Sequence, residues 1–201
     1  MISSAVVECL DGLDPLREQH YAVLEKFMLH SSSDPNDFIA PAIAAVALNR
    51  SLRVIKGYRV LVEQENLTCA SALVRLQIDS AMRANALHLT SDPKELLRRV
   101  RVGEPLGKMK SSVHPKETLK DRYLHDQLSV NHTWVSALYV DSSGYIHMSK
   151  PAADIALAGP DGLGMIVRIS ETDQPSESEL LENVELFVKA TALVVDVCRT
   201  L

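Results

Sequence analysis

The sequence predicts a mainly α protein, a helical bundle of five or six helices with a small β-hairpin before the C-terminal helix. Three observations carry that expectation. Hydrophobic residues make up 46% of the 201 positions and aromatics only 4%, so Ala, Leu, Val and Ile must build the core; such cores suit helices packed closely on helices. Gly and Pro are scarce through the middle and cluster at 103–115 and 151–164, where the breaks fall. Apolar residues keep steps of three and four until Pro151, after which the period changes. The length suits a single helical domain, 1–201, with the hairpin inserted at about 154–169.

Asp14 suits an N-cap with Pro15 at the first position of a helix running to about His30. Its apolar stripe is Leu16, Tyr21, Leu24, Phe27 and Met28. Asp37 can cap a second helix with two apolar sides, one of Ile43, Ala47, Val54, Tyr58 and Leu61, the other of Leu48, Leu52, Ile55 and Val62. A helix apolar on two sides lies within a bundle, and Arg50, Arg53, Lys56 and Arg59 form its solvated face. Asn66 can cap a third helix whose stripe, Leu67, Ala70, Val74, Ile78 and Ala81, runs on into Asn85 and His88. Asp92 caps a short helix from Pro93 to about Arg101, and a polar, basic, mobile connection is expected over 103–115. A long helix follows over 116–139, with Gly144 as a C-terminal cap. DIALA and MIVRI flank the turn-rich GPDGLG and read as the hairpin. Ser176 with Glu179 makes a capping box for the last helix, with a stripe of Leu181, Val184, Val188, Ala192, Val195 and Cys198.

The candidate functional residues fall in two polar clusters. The first is LVRLQIDSAMRANALHL (73–89), which places Arg75, Asp79, Arg83, Asn85 and His88 within a helix expected to pack. Buried charges require partners, and Arg75, Asp79 and Arg83, spaced by four, can form an ion-pair ladder. Alternatively one arginine is left to bind an anion. The second cluster is LYVDSSGYIHMS (138–149), with Tyr139, Ser143, Tyr145 and His147. If the two clusters meet, Arg75, Asp79, Tyr139, Ser143 and Tyr145 are the ligand-binding candidates. Arg83, His88 and His147 are the catalytic candidates, since an unshifted histidine can act as acid or base near neutral pH.

No metal site and no cofactor are expected. His125 and His132 lie seven apart, about 10.5 Å along a helix, and Asp121 with His125 reads better as a hydrogen-bonded pair. No phosphate-binding glycine loop or serine nucleophile elbow is present. Cys9, Cys69 and Cys198 are widely spaced and read as reduced thiols. The N-terminus lacks a basic, apolar leader pattern, and the longest apolar run, 38–48, falls short of the roughly 20 residues needed to span a bilayer. A soluble cytoplasmic protein without membrane contact is expected. Net charge is −5, which argues against a general nucleic-acid coat. Lys94 to Arg122, however, holds nine Lys/Arg against four Asp/Glu, and this strip is the candidate surface for RNA or phosphate.

Arg83 to His88, RANALH, has the Arg–x(4–6)–His spacing that resembles the signature of HEPN ribonucleases, helical-bundle proteins of bacterial defence and toxin systems. That resemblance implies RNA cleavage by Arg83 and His88 in a composite site across a homodimer, and the lack of a metal-ligand cluster in the sequence makes such cleavage metal-independent. The polar residue that follows the arginine in that family is Ala84 here, with Asn85 one place late. A broader likeness joins Arg75 and Asp79 to the segment from Trp134 through Tyr139, Ser143, Tyr145 and His147. It is similar to bacterial helical proteins of unknown function, some associated with abortive infection. Two functions follow as expectations: an interaction or regulatory module held together by Arg75, Asp79 and His147, or a HEPN-like ribonuclease or nucleotide-binding protein.

Overall fold

The computed structural model describes residues 2–29, 34, 36–147, 149–150, 153–154, 157–158, 166–167 and 173–201. It is mainly helical, and a helical bundle fits it, with more helices than the five or six expected. An unanticipated α1 (Ser4–Asp11) opens the chain, capped by the Ser3 hydroxyl accepting from the Val6 N–H. It is followed by α2 (Leu13–Leu29), α3 (Ile39–Glu63), α4 (Leu67–Asn85), a 3-10 turn at Ala86–Leu89 and α5 (Pro93–Val102). The helix expected over 116–139 is two, α6 (Asp121–Asn131) and α7 (Trp134–Ile146), with His132 at the break. Gly144 therefore lies inside α7 rather than at its end. The last helix is α8 (Glu177–Arg199). No helix among the described residues is long and apolar enough to cross a membrane.

Several caps follow the chemistry of the sequence. Asn66 accepts from the Cys69 N–H at 3.0 Å, Asp92 accepts from the Glu95 N–H at 2.9 Å, and the Ser176–Glu179 capping box is formed. Gly103 ends α5 in the left-handed conformation at φ +72°, a position glycine occupies without Cβ strain. At the start of α3 the cap residue is Phe38, with no side-chain bond, so Asp37 does not take that role. Asp14 sits in the first turn of α2, where it binds Arg17 and Arg59.

Buried apolar residues from α1 to α8 form one contiguous cluster. In it α8 packs on α1, α2, α3 and α4, and α4 also packs on α3, α6 and α7. The stripe of α2 is Leu13, Leu16, His20 and Val23, one face away from the expected one, so Tyr21 and Met28 are exposed. Along α8 the buried positions include Leu180, Phe187, Leu193, Val194 and Val197. Burial that nearly encircles the helix marks it as central to the bundle. Phe187 stacks on Tyr58 of α3 with ring centroids 3.6 Å apart.

The expected hairpin over 154–169 falls mostly outside the described residues. Among the described residues Leu157 pairs with Val167 and Ala158 with Ile166, a two-residue antiparallel contact. Ala153 and Asp154 are helical, so the first expected strand does not begin at Asp154. The connection after α5, expected to be mobile, is instead bonded throughout. Leu119 N–H donates to the Met109 carbonyl, Ser111 N–H to Glu117, and Ser112 N–H to Leu89. Leu106, Met109, Ser111 and Leu119 are buried beneath it.

Candidate functional site

The seam between α4 and α7 brings the two polar clusters together at one point. Arg75, on the α4 face toward α7, retains only 9% exposure. Its guanidinium carbon lies 3.7 Å from the centroid of the Tyr139 ring. The Arg75 Nη1 is buried and accepted by no oxygen. Tyr139 in turn contacts the His125 ring of α6 at 4.5 Å. His125 is bonded to Asp126 at 2.8 Å and to Ser129 at 3.4 Å, so the expected Asp121–His125 pair is not formed.

The ladder is the main departure from expectation. Asp79 does not hold Arg75; its carboxylate takes Arg83 from its own helix at 3.1 Å and Arg50 from α3 at 3.3 Å. Arg50, expected on a solvated face, also donates to the Leu76 carbonyl and the Ser80 hydroxyl. Arg83 reaches Asp121 of α6 at 3.1 Å. Burial alone would lower the Arg83 pKa, but the charges and hydrogen bonds of Asp79 and Asp121 raise it. Two arginines and two carboxylates thus close on themselves, and Arg75, one turn earlier, is left to the Tyr139 ring.

That leaves an energetic imbalance. A desolvated cation–π contact contributes up to about 2 kcal/mol. Leaving a buried donor such as the Arg75 Nη1 without an acceptor costs about 1–3 kcal/mol, and more for a charged group. The deficit is what a carboxylate or phosphate at Arg75 would offset, through charge-assisted hydrogen bonds.

The remaining candidates lie apart from this point. Ser143 donates to the Tyr139 carbonyl at 2.5 Å within α7. His147 is exposed, and its N–H bonds the Ser143 carbonyl at the helix end. Tyr145 lines a cavity of about 180 Å³ with Ser71, Asp141, Ser142, Glu179, Glu182 and Asn183. Burial raises the Tyr145 hydroxyl pKa; the Ser71 bond opposes that, and Glu179, Asp173 and Glu182 add to it. Its acidic wall would repel an anion, so Tyr145 does not extend the Arg75 site. His88, on the 3-10 turn after α4, bonds the Thr200 hydroxyl at 3.1 Å. It lines a cleft of about 530 Å³ with Asn85, Gln127, Asn131, His132 and Asp196, which Arg83 does not line.

A buried polar chain, absent from the sequence expectations, runs through the core. His20, with no exposed surface, donates from Nδ1 to the Leu16 carbonyl at 2.6 Å and accepts at Nε2 from the Ser51 hydroxyl at 2.7 Å. Gln77 Nε2 reaches the Ser51 carbonyl at 3.5 Å and the Thr191 hydroxyl at 3.1 Å. Burial lowers the His20 pKa, only partly opposed by the Leu16 bond, which fits a neutral ring with one donor and one acceptor. The available signal was phase: 13, 16, 20 and 23 step by three and four, placing His20 on the apolar face.

The three cysteines are free, and thiol burial pushes Cys198 up to about 12. Among the described residues no group of three His, Cys, Asp or Glu could hold a metal ion. No family model, no curated protein and no solved structure matches this chain.

Proposed function

We propose that this chain is a non-enzymatic interaction module whose recognition centre is Arg75 on Tyr139, reading an acidic group of its partner. A single observation carries the reading. Arg75 is nine-tenths buried with an unbonded Nη1, while the carboxylate one turn away is already shared by Arg50 and Arg83. Planar guanidinium stacked on an aromatic ring is held in one orientation, which favours bidentate recognition of a carboxylate or phosphate. Self-association belongs to the same proposal. Met28, Leu29 and Phe38 are 78%, 76% and 61% exposed at neighbouring ends of α2 and α3, and a second copy would cover them. Titration with inorganic phosphate, followed by the NMR signals of the Arg75 Nε–H and the Tyr139 ring, tests the centre. Saturable shifts at both groups in the millimolar range are expected. Shifts that fail to saturate, or that match those of Arg98, would remove the reading.

A second reading, HEPN-like RNA cleavage by Arg83 and His88, has one observation in its favour: His88 lines an open polar cleft together with His132. It requires Arg83 to leave Asp79 and Asp121. Cleavage of varied RNAs in chelator, lost in both His88→Ala and Arg83→Ala, is its test.

A further inference from the structure

The connection between α5 and α6 carries a second recognition feature, independent of Arg75. Its backbone forms a short antiparallel ribbon, with Lys110 opposite Thr118 and Leu119 bonded to Met109. Side chains on such a ribbon alternate between faces. Met109, Ser111 and Leu119 point inward and are buried, whereas Lys110 and Lys120 point outward and are exposed. Lys108 and Lys116 flank them, also exposed. The inward side is anchored: the Ser111 and Tyr123 hydroxyls are 2.7 Å apart, and His114 Nδ1 lies 3.0 Å from the same Tyr123 oxygen.

Among the described residues of the basic strip, Arg98 and Arg99 are engaged in ion pairs and the ribbon lysines are not. Arg98 and Arg99 are held by Glu95 and Glu104 at 2.6–3.6 Å. The Arg98 hydrogen bond, chiefly, holds the Glu95 carboxyl down at about 2. Lys108, Lys110, Lys116 and Lys120 have no carboxylate within ion-pair distance among the described residues. Four unneutralised lysines on a fixed ribbon make a positive platform on a chain whose net charge is −5.

We infer that this lysine ribbon docks the phosphate backbone of a nucleic-acid duplex without reading its sequence. The occupant follows from the chemistry of the platform. Lysines meet phosphates as point charges. The outward face carries no Trp, Tyr or Phe on which the bases of a single strand could stack, so a duplex backbone is the matching polyanion. The negative remainder of the chain confines contact to this face.

The test is fluorescence anisotropy of the full chain with a labelled 20-base-pair DNA duplex at rising KCl. With four phosphate contacts, log K should fall against log salt with a slope of about −3.6, and removing two should return about 1.8 of it. The double variant Lys110→Gln/Lys120→Gln is expected to show that loss with an unchanged melting temperature. Arg53→Gln/Lys56→Gln, which removes the same charge from the exposed face of α3, should keep the full slope. Absence of binding at 25 mM KCl, equal slopes in the two double variants, or binding to phosphatidylserine vesicles but not to duplex would each overturn the inference. None of these outcomes bears on Arg75, which the phosphate titration tests separately.

Discussion

Asp79→Ala is expected to destabilise the chain more than Arg83→Ala, and the structure sets the size of the difference. The Asp79 side chain is 17% exposed; it accepts from Arg83 at 3.1 Å and forms an ion pair with Arg50 at 3.3 Å. A charge-assisted hydrogen bond contributes about 1.5–3 kcal/mol when well shielded, and breaking a fully buried pair costs about 3–5 kcal/mol. Neither figure applies in full, because Arg83 and Arg50 are 40% and 37% exposed and can be hydrated once released. Arg50 also keeps the Leu76 carbonyl and the Ser80 hydroxyl, and Arg83 keeps Asp121. About 2 kcal/mol is therefore expected for Asp79→Ala. Arg83→Ala leaves Asp79 with Arg50 and strands only the exposed Asp121, for about 1 kcal/mol. For a chain of 201 residues, these correspond to falls of about 4–8 °C and 2–4 °C in Tm. Urea titrations read the same difference as a shift in midpoint at constant slope. Equal losses, or a larger loss for Arg83→Ala, would refute the shared-carboxylate reasoning.

Three further outcomes follow from the core and its caps. Because the His20 pKa is lowered in the fold, the unfolded chain binds more protons just below pH 6.5. Stability should thus fall as pH drops through that point toward the lower folded value, and His20→Gln should flatten that slope in denaturant titrations at stepped pH. Phe187→Ala removes the Tyr58 stack from a site with no exposed surface and should cost about 3–5 kcal/mol, read by urea midpoint. Gly103→Ala meets no neighbour within 4 Å but forces a Cβ into φ +72°, so a loss of about 1 kcal/mol is expected by thermal unfolding.

Local signals in the sequence were reliable where a short-range interaction determines the outcome. Asn66, Asp92 and the Ser176–Glu179 box each act within one turn, and each is found in its expected role. Tertiary competition decided the rest. Spacing alone assigns Asp79 to Arg75 and Arg83 equally; the approach of Arg50 from α3, invisible to helical periodicity, takes the carboxylate instead. On α2, hydrophobicity alone puts Tyr21 and Met28 in the core and leaves His20 out, yet two hydrogen bonds let the histidine sit there and turn the helix to another face. His132 breaks a pattern that reads as continuous from 116 to 139, and the residues after it enter a new helix. The union of Arg75 with Tyr139 was legible only as a condition on the two clusters meeting, because no sequence rule fixes which turn of α4 faces α7.

Whether Arg75 is a recognition cation or a structural one is decided by urea unfolding of wild type and Arg75→Met with and without 100 mM inorganic phosphate. Methionine keeps an apolar stem against Tyr139 and removes a cation that has no carboxylate partner among the described residues. Arg75→Met is expected to be neutral or stabilising without phosphate. Phosphate is expected to stabilise wild type by about 2.7 kcal/mol more than the variant, for a Kd near 1 mM. A loss of about 3 kcal/mol in the variant, together with equal phosphate effects on both proteins, would contradict the recognition role.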